Sequence, residues 1–347
     1  MANGKTLLIT GITGFLGSHM ALEALRRGYH VRGTLRSMDR ADHVRSILKA
    51  NLDKEATDAV DRLSFHEADL LDPRGWEDAA SGCDAVLHVA SPFPLALPKH
   101  EDDLIQPARQ GVRNVFNAAV NQGVHRFVQT SSSVAIMYGH GRQRDLFDEK
   151  DWTRLDGPMI SPYIKSKTLA EKDLWALAEA NPIMNVSAVN PGFILGPVLD
   201  PKDPGSSCDV VLKMMRGEYP GVPKLGYPTV DVRDVVALHF HVLEDAEAKG
   251  ERYAAIAETI PFKDLAKAIK QALPDKARKV SALQLPSWFF RVFALFESSV
   301  KTVVPELGYM PTVLSEKGRN RYPWKPRSAA DAAVATAQSL VELGYIP

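Results

Sequence analysis

"LLITGITGFLGSHMALEAL" (Leu7–Leu25) begins almost as soon as the chain does. An apolar run breaks at Gly11, Gly14 and Gly17 and then becomes an amphipathic helix. Glycine in a strand or helix interior costs on the order of 1 kcal/mol relative to alanine. Three at a spacing of three therefore mark backbone that must turn tightly and pass close to something. A strand, a glycine turn and a helix in that order are the context of a dinucleotide fingerprint. The helix start aims free N–H groups and the positive end of its dipole at a pyrophosphate. The missing Cβ atoms at Gly11 and Gly14 permit the turn and the approach, and Gly17 lets helix and strand pack tightly. Gly11, Thr13, Gly14, Phe15, Leu16 and Gly17 are the candidate contacts.

Outward from this unit, short β-branched runs alternate with longer helical patterns. Strands are expected at 6–10, 29–36, 63–67, 85–90, 127–131 and 185–190, and helices around 15–27, 39–50, 74–80, 108–121 and 162–180. Strands alternating with helices of this length predict βαβ units and a parallel sheet. The fold class expected is α/β, a doubly wound parallel sheet of Rossmann type with a smaller, discontinuous C-terminal substrate domain. Residues 1–190 form the cofactor domain in this reading. From Pro191 prolines cluster and the alternation fades. "DVRDVVALHFHVL" from Asp231 reads as a helix and "RYAAIA" from Arg252 as a further strand, so 230–257 is expected to pack back onto the first domain. Residues 191–229 and 258–347 are left for substrate. Ser328 and Gly344 bracket a closing helix as N-cap and C-cap.

Bulk properties exclude several classes of function. Lys+Arg and Asp+Glu both number 42 in 347 residues, so no net field attracts nucleic acid or an anionic membrane. Two cysteines, Cys83 and Cys208, offer neither a disulfide framework nor zinc spacing. No stretch reaches transmembrane length and the first strand leaves no room for a signal peptide, so a cytoplasmic protein is expected, monomer or homodimer. His239 and His241, two apart on a helix, face different ways, and no metal is assigned.

The second strand, "YHVRGTLRS", ends in Arg36 and Ser37, with Arg40 a turn later and no acid before Asp39. A NAD site places an acid there to bind the ribose 2′-hydroxyl. A guanidinium instead suits a 2′-phosphate, which favours NADP(H). The competing reading is a solvated arginine at a strand end.

"SPYIKSK" opens a helix with Ser161 and Pro162, and puts Tyr163 and Lys167 at i and i+4 on one face. A tyrosine near its ordinary pKa of about 10 is a poor acid–base group at neutral pH, and an adjacent ammonium lowers it. The same lysine can hold the nicotinamide ribose. The fifth strand ends in Thr130, Ser131, Ser132 and Ser133, at the carboxyl edge where doubly wound sheets bind ligands. Thr130 is a candidate cofactor contact, and one of the serine hydroxyls is expected to orient a substrate carbonyl.

With these features the sequence resembles the extended short-chain dehydrogenase/reductases. More narrowly it resembles the dihydroflavonol 4-reductase-like branch, which also holds cinnamoyl-CoA reductases and bacterial and yeast carbonyl reductases. The residues carrying this are "TGITGFLGSH" (10–19), "ADLLD" (68–72), "HVASP" (88–92), "TSSSVAIMYG" (130–139), "SPYIKSK" (161–167), "NPGFILGP" (190–197) and "VDVRDVVALH" (230–239). The resemblance implies Ser132, Tyr163 and Lys167 as the catalytic set, with Ser133 at a position often small or apolar in relatives. It implies Asp69 and Leu70 at the adenine, and Ala90, Ser91, Pro191 and Gly192 beside the nicotinamide.

Substrate is where the match thins. Plant dihydroflavonol reductases carry an asparagine where this chain has Met137, and the cinnamoyl-CoA branch has an NWYCYGK-like stretch where it has "ISPYIKSK". The remaining expectation is a small, fairly apolar aldehyde or ketone, reduced in a pocket walled by Phe93, Ser132, Met137, Phe193, Met214 or Met215, with Val198 and Leu199 nearby. A nucleotide-sugar epimerase or dehydratase shares the motifs but needs polar groups for a diphosphate, and the second half clusters few cations beyond Lys213 and Arg216. A hydroxysteroid dehydrogenase is a further alternative. A non-catalytic dinucleotide sensor typically lacks the Tyr/Lys pair.

Overall fold

The computed structural model describes residues 4–92, 100–295, 298–301 and 303–346. The first half alternates β1 (Thr6–Thr10), α1 (Phe15–Arg26), β2 (His30–Leu35), α2 (Ala41–Asn51), β3 (Leu63–Glu67), α3 (Trp76–Ala80), β4 (Ala85–His88), α4 (Asp102–Asn121) and β5 (Arg126–Thr130). Then come α5 (Val134–Met137), β6 (Leu146–Phe147), α6 (Pro162–Ala180), β7 (Asn185–Pro191), β8 (Phe193–Leu195), α7 (Ser206–Arg216), β9 (Gly226–Asp231) and α8 (Val232–Glu244). After β10 (Arg252–Ala255), β11 (Glu258–Pro261), α9 (Phe262–Ala272), α10 (Ser287–Phe293), α11 (Ser298–Lys301), β12 (Thr312–Val313) and α12 (Glu316–Arg321), the helix α13 (Ala329–Glu342) closes the chain.

Seven strands make one parallel sheet in the order β10-β7-β5-β4-β1-β2-β3. This is the expected doubly wound α/β architecture. The order reverses between β1 and β4, so the loops after them part and leave a crevice at the carboxyl edge. Successive residues of a strand face opposite sides, and β1 shows it: Leu7 and Ile9 enter one core while Leu8 enters the other. The first core packs under α1, α2 and α8, the second under α3, α4 and α6. Removing side chains such as Leu8, Ile9 or Phe127 from water contributes roughly 1.5–3 kcal/mol each.

Two differences from the sequence expectation have local causes. Helix α4 starts at Asp102 and contains Pro107, because Leu104 and Ile105 continue its buried stripe upstream of the proline. The region after Pro191 is more regular than its prolines suggest. A second sheet, β11-β9-β8, pairs β8 with β9 in parallel and β9 with β11 antiparallel. Helices α7, α9 and α13 cover it. Met214 and Met215 lie in that interior with Cys208, Val211 and Leu212, since α7 turns this face onto α13. They are packed core and not an accessible wall. A two-stranded piece, β12 with β6, is pinned by Tyr309, whose hydroxyl donates to the Met137 carbonyl at 3.0 Å.

Candidate active site

Why the chain turns at Gly11 is visible in its contacts. Gly11 has φ +69°, and a Cβ there would lie 2.9 Å from Ala90 Cα. The turn is thus pressed against the end of β4, where Thr10 Oγ1 accepts from the amides of Val89 and Ala90 at 3.0 and 2.9 Å. A Cβ on Gly17 would meet the Gly11 carbonyl oxygen at 2.2 Å, so bare backbone is needed there for packing. Gly14 differs: the nearest atom to its added Cβ is 3.5 Å away, and the residue is exposed. It is the N-cap of α1, and no side chain caps that helix. The N–H groups of the first turn therefore face outward over a glycine, which fits an anion such as a pyrophosphate. Thr13, Gly14 and Phe15 line a hollow shared with Val44, Leu199 and Asp200, while Leu16 is buried.

At the end of β2, Arg36 is exposed and has no ionic or hydrogen-bond partner among the described residues. Arg40 lies 3.9 Å from Asp200, whose carboxylate also meets His43 at 3.1 Å. Beside the turn after β3, Asp69 is exposed and accepts from the Leu71 amide at 2.8 Å. The Leu70 carbonyl accepts from Asn114 at 2.9 Å and its side chain fills the space beside Gly111. Ala90 and Ser91 are half-buried at the end of β4.

Helix α6 begins where Ser161 accepts from the Ile164 amide at 3.3 Å, with Pro162 at the first helical position. This start places Tyr163 in the first turn and Lys167 one turn on. Tyr163 is hydrogen-bonded to Ser132. Ser132 Oγ also accepts from the Val134 amide at 3.3 Å, while the Ser133 backbone N–H is tied to the Pro191 carbonyl at 2.8 Å. Of the two serines, Ser132 is the one joined to the tyrosine. Burial pushes Tyr163 up to about 12, against a smaller downward pull from Ser132. The expectation of a lowered phenol is not met, because burial outweighs the hydrogen bond. Lys167 is buried and pushed down to about 8, with Glu171 acting against that shift.

The Thr130 side chain is not part of this cluster. It faces the other side of the sheet, where its hydroxyl meets His239 Nε2 at 2.9 Å. His241 points elsewhere and stacks on Tyr322. Among the described residues no group of three or more His, Cys, Asp or Glu side chains is arranged to hold a metal.

Gly192 follows β7, and a Cβ there would lie 2.1 Å from the Pro228 carbonyl oxygen. That closeness packs β9 against the end of β7, and there the Phe193 ring meets Tyr227 at 5.8 Å and Tyr227 meets Phe262 edge-on at 5.6 Å. Met137 is buried with Ile136, Tyr138 and Ile164, and Phe93 lies outside the described residues.

The sequence reading does not single out Glu171, Asn190 or Arg252, which lie behind the Tyr163–Ser132 pair. Glu171 accepts from Ser131 at 2.5 Å, Asn190 at 2.7 Å and Arg252 at 2.6 Å. The one available signal was position, since Glu171 continues the i, i+4 face of Tyr163 and Lys167.

Comparison with known proteins gives the family. Residues 7–255 match the NAD dependent epimerase/dehydratase family. The chain belongs to that family. It is an extended short-chain dehydrogenase/reductase, and its relatives are oxidoreductases of the dihydroflavonol reductase type. Vestitone reductase of Medicago sativa is 31% identical over 300 residues, covering 82% of this chain and 89% of that protein. Cinnamoyl-CoA reductase 1 of Oryza sativa subsp. japonica is 36% identical over 277 residues, 78% of each chain. In fold, yeast methylglyoxal/isovaleraldehyde reductase Gre2 complexed with NADPH superposes with a TM-score of 0.81 at 23% identity, covering 98% of this chain and all of that one. Within the family, the described residues include no helix long and apolar enough to cross a membrane.

Proposed function

We propose that this family member uses NADPH to reduce the carbonyl of a small, fairly apolar aldehyde or ketone to an alcohol. The observation carrying the proposal is the Tyr163–Ser132 hydrogen bond at the carboxyl edge, with Lys167 one helical turn away. Relatives point the same way, since Gre2 was crystallised with NADPH and the similar plant enzymes are reductases.

Bound NADPH supplies the hydride. The turn from Gly11 to Gly17 and the first-turn amides of α1 would hold its pyrophosphate, Arg36 its 2′-phosphate, and Lys167 its ribose hydroxyls. Tyr163 gives its proton to the oxygen of the carbonyl being reduced, and Ser132 hydrogen-bonds that oxygen. A phenol pushed up to about 12 keeps its proton throughout the neutral range, which is the state a reduction needs. Lys167, pushed down to about 8, keeps its charge below that pH and stabilises the tyrosinate left after transfer.

The mutually packed rings of Phe193, Tyr227 and Phe262 support an apolar, aromatic substrate side. An apolar pocket gains about 0.8 kcal/mol per methylene buried. With NADPH, kcat/KM should therefore rise along a series of straight-chain aldehydes until the pocket is full. A flat series, or preference for dihydroquercetin or a UDP-sugar over every simple carbonyl, would overturn the reading.

A further inference from the structure

We propose that Glu171, buried on α6 one turn beyond Lys167, is a positioning residue that fixes the Ser131–Ser132 segment beside Tyr163 and acts by its charge on Lys167 from one helical turn away. The inference rests on the reductase reading of Tyr163, Lys167 and Ser132.

Glu171 is fully buried. Its Oε2 accepts from Ser131 Oγ at 2.5 Å and Asn190 Nδ2 at 2.7 Å; its Oε1 accepts from Arg252 Nε at 2.6 Å and Trp175 Nε1 at 3.3 Å. Three of these neighbours offer N–H donors and Ser131 donates its hydroxyl, so both Glu171 oxygens serve as acceptors. The same Asn190 amide also donates to the Ser132 carbonyl at 3.2 Å. One carboxylate thereby grips the side chain of Ser131 directly and the backbone of Ser132 through a single intermediary. Its place at i+4 from Lys167 brings its charge to the lysine as well.

Arg252 is held independently of Glu171. It donates to the carbonyls of Glu149 and Asp151 at 2.8 and 2.7 Å, and its guanidinium lies 3.9 Å above the Trp152 ring. A buried ion pair stabilises a fold little more than apolar groups of equal volume. Stability alone therefore does not account for a carboxylate at this point.

Of the other charges on α6, Lys172 lies over the Trp152 ring, and Asp173 and Lys165 are paired elsewhere. Asp173 binds Arg109 and Arg113 of α4, and Lys165 binds Glu101. His88 of β4, whose ring meets Thr10 at 2.9 Å, is held neutral by burial. Glu171 is the anion acting on Lys167, and it shares its charge with Arg252 of β10.

This sharing makes two variants move Lys167 in opposite directions. Glu171→Gln keeps the shape but leaves two buried cations without an anion, so Lys167 should lose its proton more easily. Arg252→Met leaves the carboxylate to act on Lys167 alone, so the proton should be held more firmly. A pair that only supports the fold would lower the melting temperature in both variants and leave the lysine unmoved.

The test is a pH titration of the full chain labelled with 13Cε-lysine, the Lys167→Met spectrum identifying the signal. The wild-type midpoint should lie near 8. Glu171→Gln should lower it by about one unit or more and Arg252→Met should raise it. Combining the two changes should restore thermal stability lost in Glu171→Gln while the midpoint stays below wild type. With NADPH and isovaleraldehyde, Glu171→Gln should lose at least about tenfold in kcat with little change in KM. A midpoint unmoved in both single variants, or moved the same way in both, overturns the inference. Should Glu171→Gln not fold, the Arg252→Met shift and the double variant decide it. Absence of turnover with any carbonyl would overturn the reductase reading alone, because the Lys167 titration needs no substrate.

Discussion

Gly17 sits so close to Gly11 that a Cβ on the former would lie 2.2 Å from the carbonyl oxygen of the latter, whereas a Cβ on Gly14 would meet nothing nearer than 3.5 Å. The two glycines therefore answer different needs. Gly17→Ala must shift backbone against backbone and should lower the melting temperature clearly, with a loss of about 1–3 kcal/mol expected for overpacking. Gly14→Ala should melt within a degree or two of wild type and yet bind NADPH at least about tenfold more weakly, since its methyl enters the space over the helix start. Calorimetry and fluorescence titration separate the two. Equal melting temperatures with equal affinities would remove the cradle from the argument.

The Tyr163–Ser132 bond assigns the proton chemistry. General acid catalysis is typically worth 10²–10⁴-fold. Tyr163→Phe should therefore lose at least about a hundredfold in kcat while NADPH still binds. Ser132→Ala should cost more than Ser133→Ala, because Ser133 is held through its backbone to Pro191 and not to the tyrosine. Near-normal turnover in Tyr163→Phe, or a larger loss at Ser133, would reverse these roles.

Acid should unfold the protein through its buried histidines, of which His88 and His239 are the deepest among the described residues. Burial pushes His88 down to about 3 and His239 down to about 4, each beside a threonine hydroxyl at 2.9 Å. A folded value below the unfolded one near 6.5 means that the fold holds the neutral ring. That stability is present above pH 6.5 and is lost as pH falls towards 4, because the unfolded chain binds the protons first. Each histidine contributes on the order of 3 kcal/mol over that window. Urea denaturation stepped from pH 7 to pH 4 should show the fall, and His239→Asn should flatten it. An unchanged slope in that variant would contradict the assignment.

These relationships were unequally legible in the sequence. The glycine turn and the Tyr163–Lys167 face are local patterns, complete within one strand–turn–helix or one helical turn, so they read directly. The parallel sheet was legible too, because β1 and β4 are largely apolar runs bounded by turns. The second sheet was not. Its strands β8 and β11 have three and four residues, and Pro228 stands inside β9, so only pairing across distant segments reveals them. Glu171 shows the same limit at the site. On a helix it reads as one more surface charge, and its burial follows from Arg252, 81 residues away on β10. Met214 and Met215 read as candidates for the pocket wall at positions that more often belong to a core, and α13, more than a hundred residues on, decides for the core.

Cofactor choice rests on Arg36, which ends exposed and unpaired past β2 where a NAD site would carry an acid. Its neighbour Arg40 is only loosely engaged, 3.9 Å from Asp200, and is free to help. A charge-assisted contact from arginine to phosphate contributes roughly 1.5–3 kcal/mol, or about ten- to a hundredfold in preference. The wild type should therefore show kcat/KM at least about tenfold higher with NADPH than with NADH. Arg36→Asp should reverse the ratio, because it adds repulsion against the 2′-phosphate as well as removing attraction. The maximal rate with NADH should stay largely intact in that variant. Arg36 is at the end of β2, whereas Tyr163 and Ser132 are grouped at the ends of β5 and α6, across the switch point of the sheet. Arg40→Ala should weaken NADPH by a smaller factor, since part of its charge is spent on Asp200. Steady-state kinetics with both cofactors decides the matter. Equal use of the two by wild type, or a ratio unchanged in Arg36→Asp, would leave Arg36 as a solvated residue at a strand end.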